Sequence, residues 1–171
     1  MVPEDLTRRS MRYIYDDGGR AAAGFKGKAG DCGTRAFALA RFGARPTGEQ
    51  YREVYEDLSR VMREWAFSGP KNRKKDRYRS GQEPCTPRNG MWTEPLDLYA
   101  AELGWEWFAA KKMGRTIHMN PAELPGGRLV TRQAKHFAAV IDGAVYDIWD
   151  SSISRTMGPE MRMVYGYWLR Q

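Results

Sequence analysis

The chain has 171 residues, and 28 Lys and Arg against 21 Asp and Glu give it a formal charge of +7. That length suits one domain with a core that needs no disulfide staples, and 42% hydrophobic with 12% aromatic residues excludes a disordered polymer. Two cysteines and two histidines without a Cys-x-x-Cys pair argue against a zinc site, and no run of about 18 apolar residues offers a membrane span.

No cofactor or metal is therefore expected, and no membrane association. Met1–Asp5 is acidic where a secretory signal would be basic and then apolar. With so few cysteines, a reducing, cytoplasmic setting is the expectation.

Residues 1–30 are polar and Gly-rich and read as a loop-like lead-in. Asp31 then stands as N-cap to an Ala-rich helix from Cys32 to Phe42, closed by Gly43. Thr47 and Gln50 form a capping-box pattern. Tyr51, Val54, Tyr55, Leu58, Val61, Met62 and Trp65 follow at the spacing of one helix face, the clearest helix in the chain.

Residues 66–92 read as a basic loop. Lys71, Arg73, Lys74, Lys75, Arg77 and Arg79 face only Asp76 within nine residues, a density of charge able to track phosphates or an acidic protein surface. Trp65, Tyr78 and Trp92 lie around it. Thr93 is positioned to cap a helix carrying Leu96, Tyr99 and Leu103 that stops at Gly104.

Thereafter the period changes. Trp105, Trp107 and Ala109 alternate as in a strand, and Asn120-Pro121 opens a short helical turn. Strands are expected at 128–131, 136–141, 144–149 and 163–169, with Asp142-Gly143 as a hairpin turn. Helices lead and strands follow, so the fold class is α+β: one domain over 1–171, with N-terminal helices packed on a C-terminal antiparallel sheet.

One thiol and one imidazole stand where chemistry would use them. Cys32 falls in the first turn of a helix, where backbone N–H groups favour a thiolate. Those same groups could hold the oxyanion of a tetrahedral intermediate. Cys85, between Pro84 and Thr86-Pro87, has no such setting. His136 opens a strand and is the stronger candidate for the base that a nucleophilic thiol requires. His118 has only Glu123 as a nearby acid.

The hairpin after His136 brings back Asp147 and Asp150. A two-residue Asp-Gly turn pairs Ile141 with Ala144 and puts Asp147 on the His136 face; a three-residue turn with a bulge brings Asp150 there instead. Arg35, one turn after Cys32, is either a brace for the helix start paired with a carboxylate or a surface residue.

The order of parts resembles the papain-like cysteine peptidases in the broad sense, including the peptidoglycan peptidase and transglutaminase-like branches. In these a Cys at a helix start is followed by a His and an Asp or Asn on adjacent antiparallel strands. Asp31-Cys32-Gly33-Thr34-Arg35-Ala36, Leu124–Leu129 and His136–Gly143 are also similar to a group of small uncharacterised phage and prophage proteins. That kinship would extend the expected setting to a host cytoplasm or a virion.

The resemblance implies a papain-like fold, with Cys32 as nucleophile, His136 as base and Asp150 as the polar third member, Asp147 being the alternative. It departs from the papain family proper at Lys26, which stands where that family has an oxyanion Gln. This leaves a backbone-only hole or a donor from Lys26, with Asp31 and Arg35 as supporting residues.

The implied function is hydrolysis or transfer of an amide or peptide bond by a Cys-His-Asp triad, with a peptide or amide as substrate. The alternative is a non-catalytic phage accessory protein that binds nucleic acid or a host protein through residues 71–79.

Overall fold

The structure is a computed structural model that describes residues 11–82, 85–155 and 160–171. Four helices, α1 (Cys32–Phe42), α2 (Gly48–Phe67), α3 (Arg73–Arg79) and α4 (Thr93–Glu102), precede most of the strands. The strands are β1 (Arg12–Tyr15), β2 (Glu106–Ala109), β3 (Ile117–His118), β4 (Arg128–Gln133), β5 (His136–Ile141), β6 (Ala144–Asp147), β7 (Met163–Val164) and β8 (Gly166–Leu169). Six of them form a sheet in the order β1-β6-β5-β4-β8-β2, and β3 pairs with β7. The mixed α+β class and the mainly antiparallel sheet match expectation.

The lead-in differs from its expected form. Arg12–Tyr15 is a strand that pairs parallel with β6, register Arg12 to Ala144 through Tyr15 to Asp147. Its partner lies some 130 residues downstream, so no local hairpin signal could announce it.

The strongest helix signal holds. Thr47 Oγ1 accepts from Gln50 N, and the Gln50 side chain accepts from Thr47 N, completing the capping box. Tyr51, Val54, Leu58, Val61, Met62 and Trp65 are all buried, each contributing about 1.5–3 kcal/mol of gross hydrophobic stabilisation. At α4 the expected cap is displaced by one: Trp92 holds the N-cap position and Thr93 is the first helical residue. Asn120-Pro121 opens the expected short turn, in which Glu123 N and Leu124 N both donate to Asn120 O.

The sheet is buried on both faces, and alternation along the strands sorts its side chains. Val130, Ala139 and Trp168 pack with Phe37, Leu39, Leu58 and Leu96 of the helical layer. Leu129, Ala138, Val140 and Tyr167 pack on the other side with Ile117, Met119 and Val164. The expected last strand is broken at Tyr165, whose N–H donates to Arg132 O between β7 and β8. No helix among the described residues is long and apolar enough to cross a membrane.

The basic stretch is not a loop. Asn72 caps α3 by accepting from Lys75 N, and the helix spends much of its charge inward. Buried Lys75 donates to Ser68 O (2.5 Å) and Pro70 O (3.2 Å), and Arg79 Nε donates to Ala66 O (2.6 Å). Both cations thus satisfy carbonyls at the C-terminal end of α2, where the helix dipole favours them. Lys74 is paired with Glu94 at 2.6 Å. Trp65 and Trp92 meet edge to face in a core with Met62, Ala66 and Cys85, so these aromatics are packing residues and present no stacking platform.

Candidate active site

The Asp-Gly hairpin decides what meets His136. Asp142 (φ 47°) and Gly143 (φ 77°) both adopt positive φ, the two-residue turn whose twist matches the flanking strands. Ile141 accordingly pairs with Ala144, and Ala139 with Tyr146. This register puts Asp147 and His136 on one face, and His136 Nε2–H donates to Asp147 Oδ2 at 2.6 Å.

Asp150, the residue favoured from resemblance, is elsewhere. Its carboxylate accepts from Ser152 N (3.1 Å) and Ser152 Oγ (2.5 Å) as a local turn. The bulged register that Asp150 needed is the one the hairpin does not adopt.

Cys32 is the first residue of α1 and stays partly exposed. With Nε2 of His136 taken by Asp147, Nδ1 is the ring nitrogen left for the thiol, and Cys32 and His136 line the same hollows. Burial opposes ionisation of Cys32, but the hydrogen bond and charge of His136, the Phe137 N–H and the charge of Arg35 outweigh it and lower its pKa. Burial likewise opposes the imidazolium of His136; Asp147 and Cys32 outweigh it and raise that pKa. The Trp149 ring lies over the imidazole with centroids 5.0 Å apart.

Behind these groups is a buried charge network. Arg35, only 2% exposed, donates from Nη1 to Asp147 Oδ1 (2.7 Å) and from Nε to Asp31 Oδ1 (3.1 Å). It is therefore a brace between the helix start and β6. Asp31 makes no side-chain cap, contrary to expectation. Its carboxylate faces Arg35, the Tyr51 hydroxyl and Arg20 Nε (3.1 Å) instead. Burial would raise the Asp147 pKa, but His136 and Arg35 hold it below the ordinary carboxylate range. Arg20 in turn grips the carbonyls of Phe25, Lys26, Gly27 and Lys28, fixing the approach to the helix.

Lys26 is not brought to the thiol. Its side chain is exposed and absent from the walls of the hollows beside Cys32, while its carbonyl accepts from Arg20 and Arg88. The first-turn N–H groups of α1 remain the available oxyanion donors, since Asp31 does not cap them. His118 sits apart, paired with Glu123 at 3.2 Å. Cys85 is buried and accepts from Trp92 N at 3.2 Å.

Hollows of about 440 and 340 Å³ flank Cys32 and His136. One wall is a loop that the sequence did not single out. Thr86 and Gly90 form an isolated bridge, and Thr34 Oγ1 donates to Pro87 O at 2.7 Å. A Cβ on Gly30 would approach Arg88 O to 3.1 Å, so the missing side chain lets the loop close against the helix start. Trp149, Lys135 and the Phe137 N–H were also missed. Each acts through its fold position, and none carries a spacing motif.

Of the six cations expected to bind a partner, Lys74, Lys75 and Arg79 are engaged within the fold, and Lys71 and Arg73 are exposed. Arg77 lies on the same short helix.

Comparison with protein-family profiles, with curated proteins and with solved structures finds no match.

Proposed function

We propose that the protein is a cysteine hydrolase or acyl transferase acting on an amide or peptide bond, with Cys32, His136 and Asp147 as its catalytic residues on a papain-like arrangement. The observation that carries this reading is one imidazole that is hydrogen-bonded to a buried carboxylate and lines the same hollow as a helix-start thiol whose pKa it lowers. That is the constellation an activated thiol nucleophile requires.

The Cys32 thiolate attacks the carbonyl carbon, and the oxygen takes up the negative charge beside the first-turn N–H groups. As the C–N bond breaks, the His136 imidazolium passes its proton to the leaving amine, and a thioester remains on Cys32. Water, or an acceptor amine, then gives a proton back to His136 and attacks the thioester, releasing the acid or the new amide. Asp147 holds the imidazole throughout, and Arg35 holds Asp147.

The test is the rate of alkylation by iodoacetamide, read at each cysteine by mass spectrometry at neutral pH. Cys32 is expected to react at least about ten-fold faster than a free thiol, one pKa unit of thiolate, and to lose that advantage in His136→Ala. A Cys32 no faster than Cys85 overturns the reading.

A further inference from the structure

The charged residues that line the hollows beside the thiol are cations. Among the described residues, the 440 Å³ hollow is lined by Arg35, Lys135 and Arg155 and by no carboxylate; the 340 Å³ hollow is lined by Lys74, Arg132 and Lys135, again with none. The nearby acids are occupied: Asp31 and Asp147 by Arg35, Arg20 and His136, and Glu94 by Lys74. Glu160 lines only a third hollow of about 710 Å³, where Lys135, Arg155 and Arg162 outnumber it.

Among the described residues no carboxylate is paired with Lys135 or Arg155, two of these cations. Lys135 precedes His136 and lines all three hollows. It has φ 54°, a conformation that turn chemistry alone would give to Gly or Asn. The Arg155 guanidinium stacks 4.2 Å above the Trp149 ring, whose centroid is 5.0 Å from that of His136. Stacking fixes the plane of a guanidinium and leaves its N–H edge for a planar anion.

We propose that Lys135 and Arg155 bind a carboxylate of the substrate, so that the amide processed at Cys32 belongs to an acidic, peptide-like molecule. The inference rests on Cys32 as the nucleophile. It adds what the hollow selects: a carboxylate group close to the scissile bond, either on a side chain or at the chain end.

Two probes of nearly equal shape test it, anionic iodoacetate and neutral iodoacetamide, on wild type, Lys135→Asn and Arg155→Gln. Asn suits the positive φ, and both positions are exposed, so folding is retained. Wild-type Cys32 is expected to favour iodoacetate more than free cysteine does, with the preference fading as salt is added. Each variant should slow the iodoacetate reaction about three- to five-fold and leave iodoacetamide within about two-fold. A preference unchanged in both variants would assign the attraction to the imidazolium alone and overturn the proposal.

Titration followed at the Trp149 indole N–H by NMR separates the two carboxylate sources and does not depend on the thiol. N-acetylalanine offers only a terminal carboxylate, N-acetylglutamate amide only a side-chain one, and N-acetylalanine amide neither. Shifts with one or both acids, lost in the two variants, support the site; shifts with neither, or equal shifts with the neutral amide, reject it. Should Cys32 alkylate no faster than Cys85, the nucleophile reading falls and the titration still decides the carboxylate site.

Discussion

Arg35 and Asp147, 112 residues apart, are joined by a buried 2.7 Å hydrogen bond between guanidinium and carboxylate. The same carboxylate takes a 2.6 Å bond from His136 through its other oxygen. One side chain of the first helix thereby fixes the acid that orients an imidazole on the sheet. One buried contact of the helix–sheet interface therefore also aligns the carboxylate with His136.

Arg35→Met should be the most damaging substitution of the network. It leaves Asp31 and Asp147 buried with their principal cation gone, at a cost of about 3–5 kcal/mol. Urea unfolding of the variant should show a loss of unfolding free energy of that size, with the midpoint lowered accordingly. Arg35→Lys should fall between, since an ammonium cannot reach both carboxylates in the planar fork that guanidinium supplies.

Asp147→Asn and Asp150→Asn separate the two candidate acids. The first should slow iodoacetamide labelling of Cys32 at neutral pH by about ten-fold or more, one pKa unit of lost activation. The second should leave it within about two-fold, because Asp150 serves only a local turn with Ser152. Equal effects of the two would remove Asp147 from its role.

Asp147 also contributes to the acid limb of stability. Its folded pKa lies below the ordinary carboxylate value, so its contribution is complete above that value and is lost as pH falls toward the folded one. Urea midpoints measured from about pH 5 downward should therefore fall less steeply in Asp147→Asn than in wild type.

The pH profile of Cys32 reports on His136. In wild type the alkylation rate should rise through a midpoint below the ordinary thiol range, since the thiol pKa is lowered. In His136→Ala the hydrogen bond and charge disappear while the burial that opposes ionisation stays. The midpoint should then rise toward the free-cysteine value of about 8.5, with only the Phe137 N–H and the Arg35 charge left to oppose burial.

Gly166 tests the join between β2 and β8 away from the thiol. A Cβ there would lie 2.4 Å from Trp107 Cζ2 and 2.6 Å from Phe108 O. Gly166→Ala should cost about 1–3 kcal/mol as an overpacked site, visible in Tm, with the Cys32 alkylation rate of the folded protein unchanged.

What the sequence disclosed divides by range. The capping box at Thr47, the stripe from Tyr51 to Trp65 and the Asp142-Gly143 turn are local signals, and the structure uses each of them. Cys32 at a helix start and His136 at a strand start also follow from neighbours a few residues away. The choice between Asp147 and Asp150 turned on one residue of register, which both turns allowed until the φ values of Asp142 and Gly143 were known. Arg12–Tyr15 escaped notice because its hydrogen-bond partners lie across the chain. The stretch Arg73–Arg79 concealed its helix for another reason: good helix formers without an apolar stripe look like a solvated loop, and its packing uses aliphatic stems and charge on carbonyls.

The strand order β1-β6-β5-β4-β8-β2 carries a consequence for biosynthesis. The earliest strand can find its place only after Ala144–Asp147 has been made, and the latest, Gly166–Leu169, must enter between β4 and β2. A chain growing from its N-terminus therefore carries Cys32 without this imidazole and carboxylate until His136 and Asp147 have been made. Until then Cys32 lacks the charge and hydrogen bond of His136 that lower its pKa, and it behaves as an ordinary thiol.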